Sequence, residues 1–216
     1  MGIAIGDVSG KGIGAALIMA SLQASVRAQA LQPHSDPSAL INQVNRLVHG
    51  SSPVQFYASL FFAEYDPAAL TLTYVNAGLN PPFVVRCQDG RSRVFRLQAG
   101  GTPVGLFEDS GYNSKLFHLE DGDILVACTD RIIEAESRDG ELWGAQRLES
   151  LFLVCGRQTS QQVLDRILNE VSAFTDGAPQ KDDMTLVVMQ MQPESWPAPE
   201  HWQIYRRHRR RELHYE

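Results

Sequence analysis

Four aspartates sit where strand-like segments begin or end, and that placement suits metal chemistry. Asp7 follows the apolar run of residues 3–5, and Asp130 follows residues 124–128. Asp182 and Asp183 immediately precede residues 184–191. Loops at strand ends can bring distant residues together on a rigid frame. Carboxylates crowded together without a cation repel one another and are driven towards protonation. Mg²⁺ and Mn²⁺ are hard ions that take oxygen ligands and relieve that repulsion. Zinc matches less well. The six histidines show no His-x-x-x-His spacing, and Cys87, Cys128 and Cys155 lie far apart. Singly, each aspartate has an ordinary role: Asp7 as a turn or capping residue, Asp130 as a turn residue, Asp182-Asp183 as a solvated acidic pair. Only the set points to chemistry.

The glycine-rich turn Gly6-Asp-Val-Ser-Gly-Lys-Gly12 is not a P-loop, because neither Ser nor Thr follows Lys11 and the Gly-x4-Gly-Lys spacing is absent. It does not have Gly-x-Gly-x-x-Gly spacing either. A nucleophilic Asp-x-Asp-x-Thr/Val motif and a Gly-x-Ser-x-Gly elbow are both missing. Thiol phosphatase chemistry is set aside.

These residues need a frame, and the sequence describes one. A short strand at residues 3–5 runs into the glycine turn. Residues 13–31, rich in Ala, Leu and Met, read as a buried helix that Pro33 ends. Asp36-Pro37 supplies an N-cap and a first-turn proline for a second helix. Leu40, Val44, Leu47 and Val48 recur on one face of it, and Gly50 stands where a C′ glycine belongs. Residues 56–65, 70–75, 83–86 and 94–97 are β-rich and separated by short turns, which implies antiparallel hairpins. Strands at 114–119 and 124–128 follow. Helices are expected at 145–153 and from Thr159 or Ser160, before a last strand at 184–191.

The chain has 216 residues and is 44% hydrophobic, enough for one domain with a sizeable core. Its net charge of −6 argues against a nucleic-acid-binding body. No apolar run reaches a membrane span, and no secretory signal is visible. Three scattered cysteines fit reduced thiols in a cytoplasmic protein. From Pro193 the composition shifts to Pro, Trp and Arg, including Arg206, Arg207, Arg209, Arg210 and Arg211. Residues 1–192 are therefore expected to form the domain and 193–216 a tail. Nucleic acid and membrane are not expected partners.

The order of motifs resembles the PPM (type 2C) metal-dependent serine/threonine phosphatases of the bacterial SpoIIE/RsbU kind. The matching segments are Ile5-Gly-Asp-Val-Ser-Gly-Lys-Gly12, Ala15-Ala-Leu-Ile-Met19, Tyr57-Ala-Ser-Leu60, Tyr74-Val-Asn-Ala-Gly78 and Gly101-Thr-Pro-Val-Gly105. Thr129-Asp130, Glu134-Ala135 and Asp182-Asp-Met-Thr-Leu186 complete them. The resemblance implies an α+β fold of two mainly antiparallel sheets packed as a sandwich with helices outside. It implies two Mn²⁺ or Mg²⁺ ions, with Asp7 bridging them and the Val8 carbonyl, Asp130 and Asp182 as further ligands. Asp183 occupies an adjacent, secondary position. The implied reaction is attack by a metal-activated water on phosphoserine or phosphothreonine of a protein substrate. Small anti-sigma-factor antagonists are the typical substrates in such signalling pathways.

Three departures accompany the resemblance. Arg131 stands where glycine usually follows the second metal aspartate, and Leu79 stands where histidine often follows Asn-Ala-Gly. The family also has an acidic strand upstream of the Asp7 strand, and this chain begins after that point. Without that neighbour the Asp7 strand is expected at a sheet edge. A second function therefore stands beside the first: a degenerate, non-catalytic phosphatase-like binding module.

Overall fold

The computed structural model describes residues 1–32, 36–53, 55–98, 100–153, 158–178 and 183–191, and the backbone of 202–207. The chain opens with β1 (Gly2–Val8), α1 (Ile13–Ala30), α2 (Pro37–Ser51), β2 (Ala58–Asp66), β3 (Thr71–Ala77), β4 (Phe83–Gln88) and β5 (Arg91–Arg96). It continues through β6 (Lys115–His118), β7 (Ile124–Cys128), α3 (Asp130–Ile133), α4 (Gly144–Phe152), α5 (Ser160–Thr175), β8 (Met184–Gln190) and β9 (Trp202–Arg207). The expected α+β class and antiparallel pairing are both present.

Two compact units divide the elements. The first contains the antiparallel sheet β1-β2-β3-β6, with β1 at one edge. Its register pairs Ile3 with Ala63, Ile5 with Phe61 and Asp7 with Ser59. One face carries Val8, Leu60, Phe62 and Val75 against Ile18, Leu22 and Val26 of α1 and Leu40, Ile41, Val44 and Val48 of α2. Each such side chain contributes roughly 1.5–3 kcal/mol when fully buried. The α1 helix is not buried all round as its composition implies. It packs chiefly on α2 and β1, so one stripe is covered while Ile13 and Leu17 are 82% and 66% exposed.

At the start of α2, the Asp36 carboxylate accepts the Ser38 amide proton, and hydrogen bonding, first from the Ser38 side chain and then from the backbone amides of Ser38 and Ala39, holds its carboxyl below the usual range. Gly50 is not a C′ residue. The helix runs past it to Ser51, and Ser52 is extended because it precedes Pro53. Between them, buried Asn45 uses its whole amide. Its Nδ2 donates to the Phe107 and Glu108 carbonyls at 3.0 Å each. Its Oδ1 accepts from Gly105 N at 2.8 Å and Tyr112 Oη at 3.1 Å. Asn45→Ala removes the partner of two buried donors, Gly105 N and Tyr112 Oη, and of two part-buried carbonyls, and is expected to cost about 2–3 kcal/mol. A urea midpoint measurement checks this, and an unchanged midpoint would show that water replaces the amide.

The second unit holds the sheet β5-β4-β7-β8-β9. The central strand β7 is buried along its whole length. Phe83, Val126, Cys128, Leu186 and Val188 pack on Leu148 and Phe152 of α4 and on Val163, Leu164, Ile167 and Val171 of α5. A capping box starts α5: Thr159 Oγ1 accepts from Gln162 N at 3.2 Å, and Thr159 N donates to Gln162 Oε1 at 2.9 Å. Six residues of the Pro/Trp/Arg-rich stretch form β9, which pairs antiparallel with β8. Cys87 is disulfide-bonded rather than reduced, and its partner lies outside the described residues. Spacing in the sequence does not reveal such a bridge, because it depends on Cβ atoms meeting in space. Among the described residues no helix is long and apolar enough to cross a membrane.

Candidate active site

In the first unit, Asp7 is the penultimate residue of β1 and is half-buried. It has the parity of Ile3 and Ile5, on the sheet face opposite α1 and α2, whereas Val8 packs into the helix-facing core. The turn beyond is pinned by Ser9. Its amide donates to the Tyr57 carbonyl at 2.8 Å, and its Oγ donates to the Gln55 carbonyl at 3.1 Å while accepting Tyr57 N at 3.0 Å. Gly10 and Gly12 have φ of 86° and 85°, a region that favours glycine, and Gly12 leads directly into α1. Strand, turn and helix thus fix where the Asp7 carboxylate emerges.

The Asn-Ala-Gly and Gly-Thr-Pro segments are explained by packing. Asn76 is buried. Its Nδ2 donates to the Leu97 carbonyl at 3.1 Å, and its Oδ1 accepts Leu79 N at 2.9 Å. Gly78 has φ 79°, and a Cβ there would lie 2.7 Å from Pro103 Cγ. Ala77 bridges to Gly101, which locks the two segments together. Leu79, where the resemblance predicts histidine, is a buried core residue.

In the second unit, Thr129 joins β7 to β8. Its amide donates to the Thr185 carbonyl at 3.0 Å, and its Oγ1 accepts Thr185 N at 3.1 Å. Asp130 then opens α3, a four-residue helix that the sequence reading did not anticipate. The pairing of Cys128 with Leu186 places Asp183, exposed just before β8, at the same end of this sheet as Asp130. Asp182 lies outside the described residues. Arg131 Nη1 donates to Glu134 Oε2 at 2.9 Å, so its charge is engaged locally. Burial pushes the Cys128 thiol up to about 12, with the Asp130 charge adding to the effect.

The predicted ligands therefore lie in different units: Asp7 and Val8 in the first, Asp130 and Asp183 in the second. Among the described residues no three His, Cys, Asp or Glu side chains form a metal-binding group. The donor set is nonetheless all oxygen, the type that Mg²⁺ and Mn²⁺ prefer.

Sequence reading also passed over one motif. Cys87 and Arg93 have the Cys-x5-Arg spacing of thiol phosphatases. Here, however, Cys87 lies in β4 and Arg93 in β5, on the two strands of one hairpin instead of a loop entering a helix, and Cys87 is disulfide-bonded. A thiolate nucleophile has no place in that arrangement.

Comparison with known proteins agrees with the motif order. The phosphoserine phosphatase RsbU of Bacillus subtilis is 29% identical over 187 residues, covering 87% of this chain and 54% of RsbU. This chain thus spans about half the length of that relative. The SiaA-PP2C domain of Pseudomonas aeruginosa superposes with a TM-score of 0.76 at 18% identity, over 88% of this chain and 76% of that one. RsbX in complex with magnesium superposes at 0.62 with 18% identity, over 88% and 80%. The fold is therefore that of PP2C phosphatase domains. The family model described as Stage II sporulation protein E (SpoIIE) matches residues 1–192, and the chain belongs to that family.

Proposed function

We propose that this chain hydrolyses phosphoserine or phosphothreonine on a regulatory protein, with Asp7, the Val8 carbonyl, Asp130 and Asp182 holding two Mn²⁺ or Mg²⁺ ions. The observation that carries this reading is Asp7 at the exit of β1, fixed by the Ser9 and glycine turn within a PP2C-type fold. The relative's name as a phosphoserine phosphatase and the magnesium complex of RsbX support it. Such ions, when bound, supply a nucleophilic hydroxide from water and neutralise charge on phosphoryl oxygens. The chain's own part is to place carboxylates on strand ends that the two cores hold rigid. Asp183 is a secondary, outer position. Small anti-sigma-factor antagonists fit as the substrate class, in a cytoplasmic signalling pathway.

Calorimetry and thermal unfolding of chelator-stripped protein test the metal step. Millimolar Mn²⁺ should bind and raise the melting temperature by mass action. Turnover of a phosphoserine protein in ¹⁸O-water should place one solvent oxygen directly in phosphate, with no trapped phosphoenzyme. Absence of both heat and thermal shift would remove the proposal. The buried Leu79 and the Arg131–Glu134 pair favour a second reading, a non-catalytic phosphatase-like binding module. Metal binding without turnover would select it.

A further inference from the structure

The β4–β5 hairpin carries a cluster that phosphatase chemistry does not use. Asp89 and Gly90, with φ of 49° and 74°, form the two-residue turn between the strands. A tight turn of that length sets Gln88 opposite Arg91 and Arg86 opposite Arg93, all on one face. Those four residues and Asp89 line a cleft of about 370 Å³.

The three arginines are not equivalent. Arg86 is fixed: its Nε donates to Asp123 Oδ1 at 3.0 Å and its Nη2 to Oδ2 at 2.7 Å, with its guanidinium 5.3 Å from the Phe95 ring centroid. Asp123 is 1% exposed. Arg91 and Arg93 are exposed and have no hydrogen-bond or ion-pair partner among the described residues. Like charges opposite one another on a hairpin are destabilising. Charged side chains on an edge strand can serve simply to prevent aggregation. That role does not require three guanidinium groups to line one concavity, nor one of them to be anchored on a buried carboxylate.

The strand itself narrows the ligand. Among the described residues β5 is the outer strand of its sheet, so its far side can accept another strand. Extended peptides bind such edges through main-chain hydrogen bonds, with alternate side chains setting specificity. Arg91 and Arg93 present guanidinium groups at that alternate spacing, and guanidinium pairs well with carboxylate. Three arginines against Asp89 and Asp123 leave a local charge of only +1, on a chain of net charge −6. A polyanion such as nucleic acid gains little there, whereas two carboxylates on one strand gain two bidentate contacts.

We infer that the β4–β5 hairpin is a docking site for an extended acidic peptide segment of a partner protein, seated on the edge of β5 with alternate Asp or Glu side chains on Arg91 and Arg93. This inference does not depend on phosphatase activity. The test uses the full chain in chelator and a fluorescein-labelled twelve-residue peptide of alternating Val and Glu. Anisotropy should report binding that weakens at least tenfold in the Arg91→Glu/Arg93→Glu variant. A Val/Gln peptide and a twelve-nucleotide single-stranded DNA should each bind at least tenfold more weakly than the Val/Glu peptide. Amides of residues 91–96 should gain protection from hydrogen exchange when the Val/Glu peptide is bound. Because both arginines are exposed, the variant's melting temperature should match wild type, which separates lost docking from lost folding. No binding of the Val/Glu peptide, equal binding of the DNA, or equal affinity in the variant would each overturn the inference.

Discussion

Asp7→Asn is expected to reduce turnover of a phosphoserine protein by at least about a hundredfold and leave the melting temperature unchanged. The two halves of this prediction have different causes. Stability of β1 comes from its backbone pairing with β2 and from Ile3, Ile5 and Val8, which are buried. Asparagine has the size and shape of aspartate, and Asp7 is only half-buried, so the strand and the Ser9-pinned turn persist. On the proposed reading, activity depends on the charge. Removing even an outer partner of a metal ligand typically costs 10–100-fold, so losing a proposed ligand itself should cost more. Asp182→Asn should behave in the same way. Asp183→Asn should do less, because that side chain is exposed and occupies the adjacent position. The measurements are single-turnover kinetics at saturating Mn²⁺ and a thermal melt on the same samples. Wild-type turnover in Asp7→Asn would remove Asp7 from the chemistry.

The placement of Asp7 at a strand exit is legible because three local signals coincide: an apolar strand, a glycine-rich turn, and an alanine-rich helix. The Asp36 cap and the start of α5 were legible for the same reason, since caps are written in adjacent residues. What escaped the sequence is non-local or too short. At four residues, α3 shows no periodicity. Gly50 was misassigned because Pro53, not glycine, ends α2. The bare face of α1 was missed because composition does not say how many neighbours a helix has. The arginines of the β4–β5 hairpin form no dense run in the sequence, unlike the cluster at 206–211. Only the turn geometry and the cleft gather Arg86, Arg91 and Arg93. The Asn-Ala-Gly and Gly-Thr-Pro segments were legible as family motifs but not as packing partners, since Pro103 must approach Gly78 before either makes sense.

Asp123→Ala should be the most destabilising of the substitutions considered, at about 3–5 kcal/mol. Asp123 and Arg86 are 37 residues apart, yet they form one bidentate ion pair with side chains 1% and 13% exposed. Taking two charges out of water is expensive, and the pair roughly offsets that cost only while both members remain. Deleting the carboxylate removes the bidentate partner of a largely buried guanidinium, which stays beside the Phe95 ring. For a chain of this size each kcal/mol moves the melting temperature by roughly 2–4 °C, so a fall of about 10 °C is expected. The mechanism makes a second demand. In Arg86→Met/Asp123→Leu both charges are gone and the volume is kept, so most of the loss should be recovered. Urea unfolding of wild type, Asp123→Ala and the double variant decides the matter. If the double variant is as unstable as the single one, the loss comes from packing around β4 and β7 and not from an uncompensated charge. If Asp123→Ala costs less than about 1 kcal/mol, water reaches the pair and it behaves like an exposed surface salt bridge.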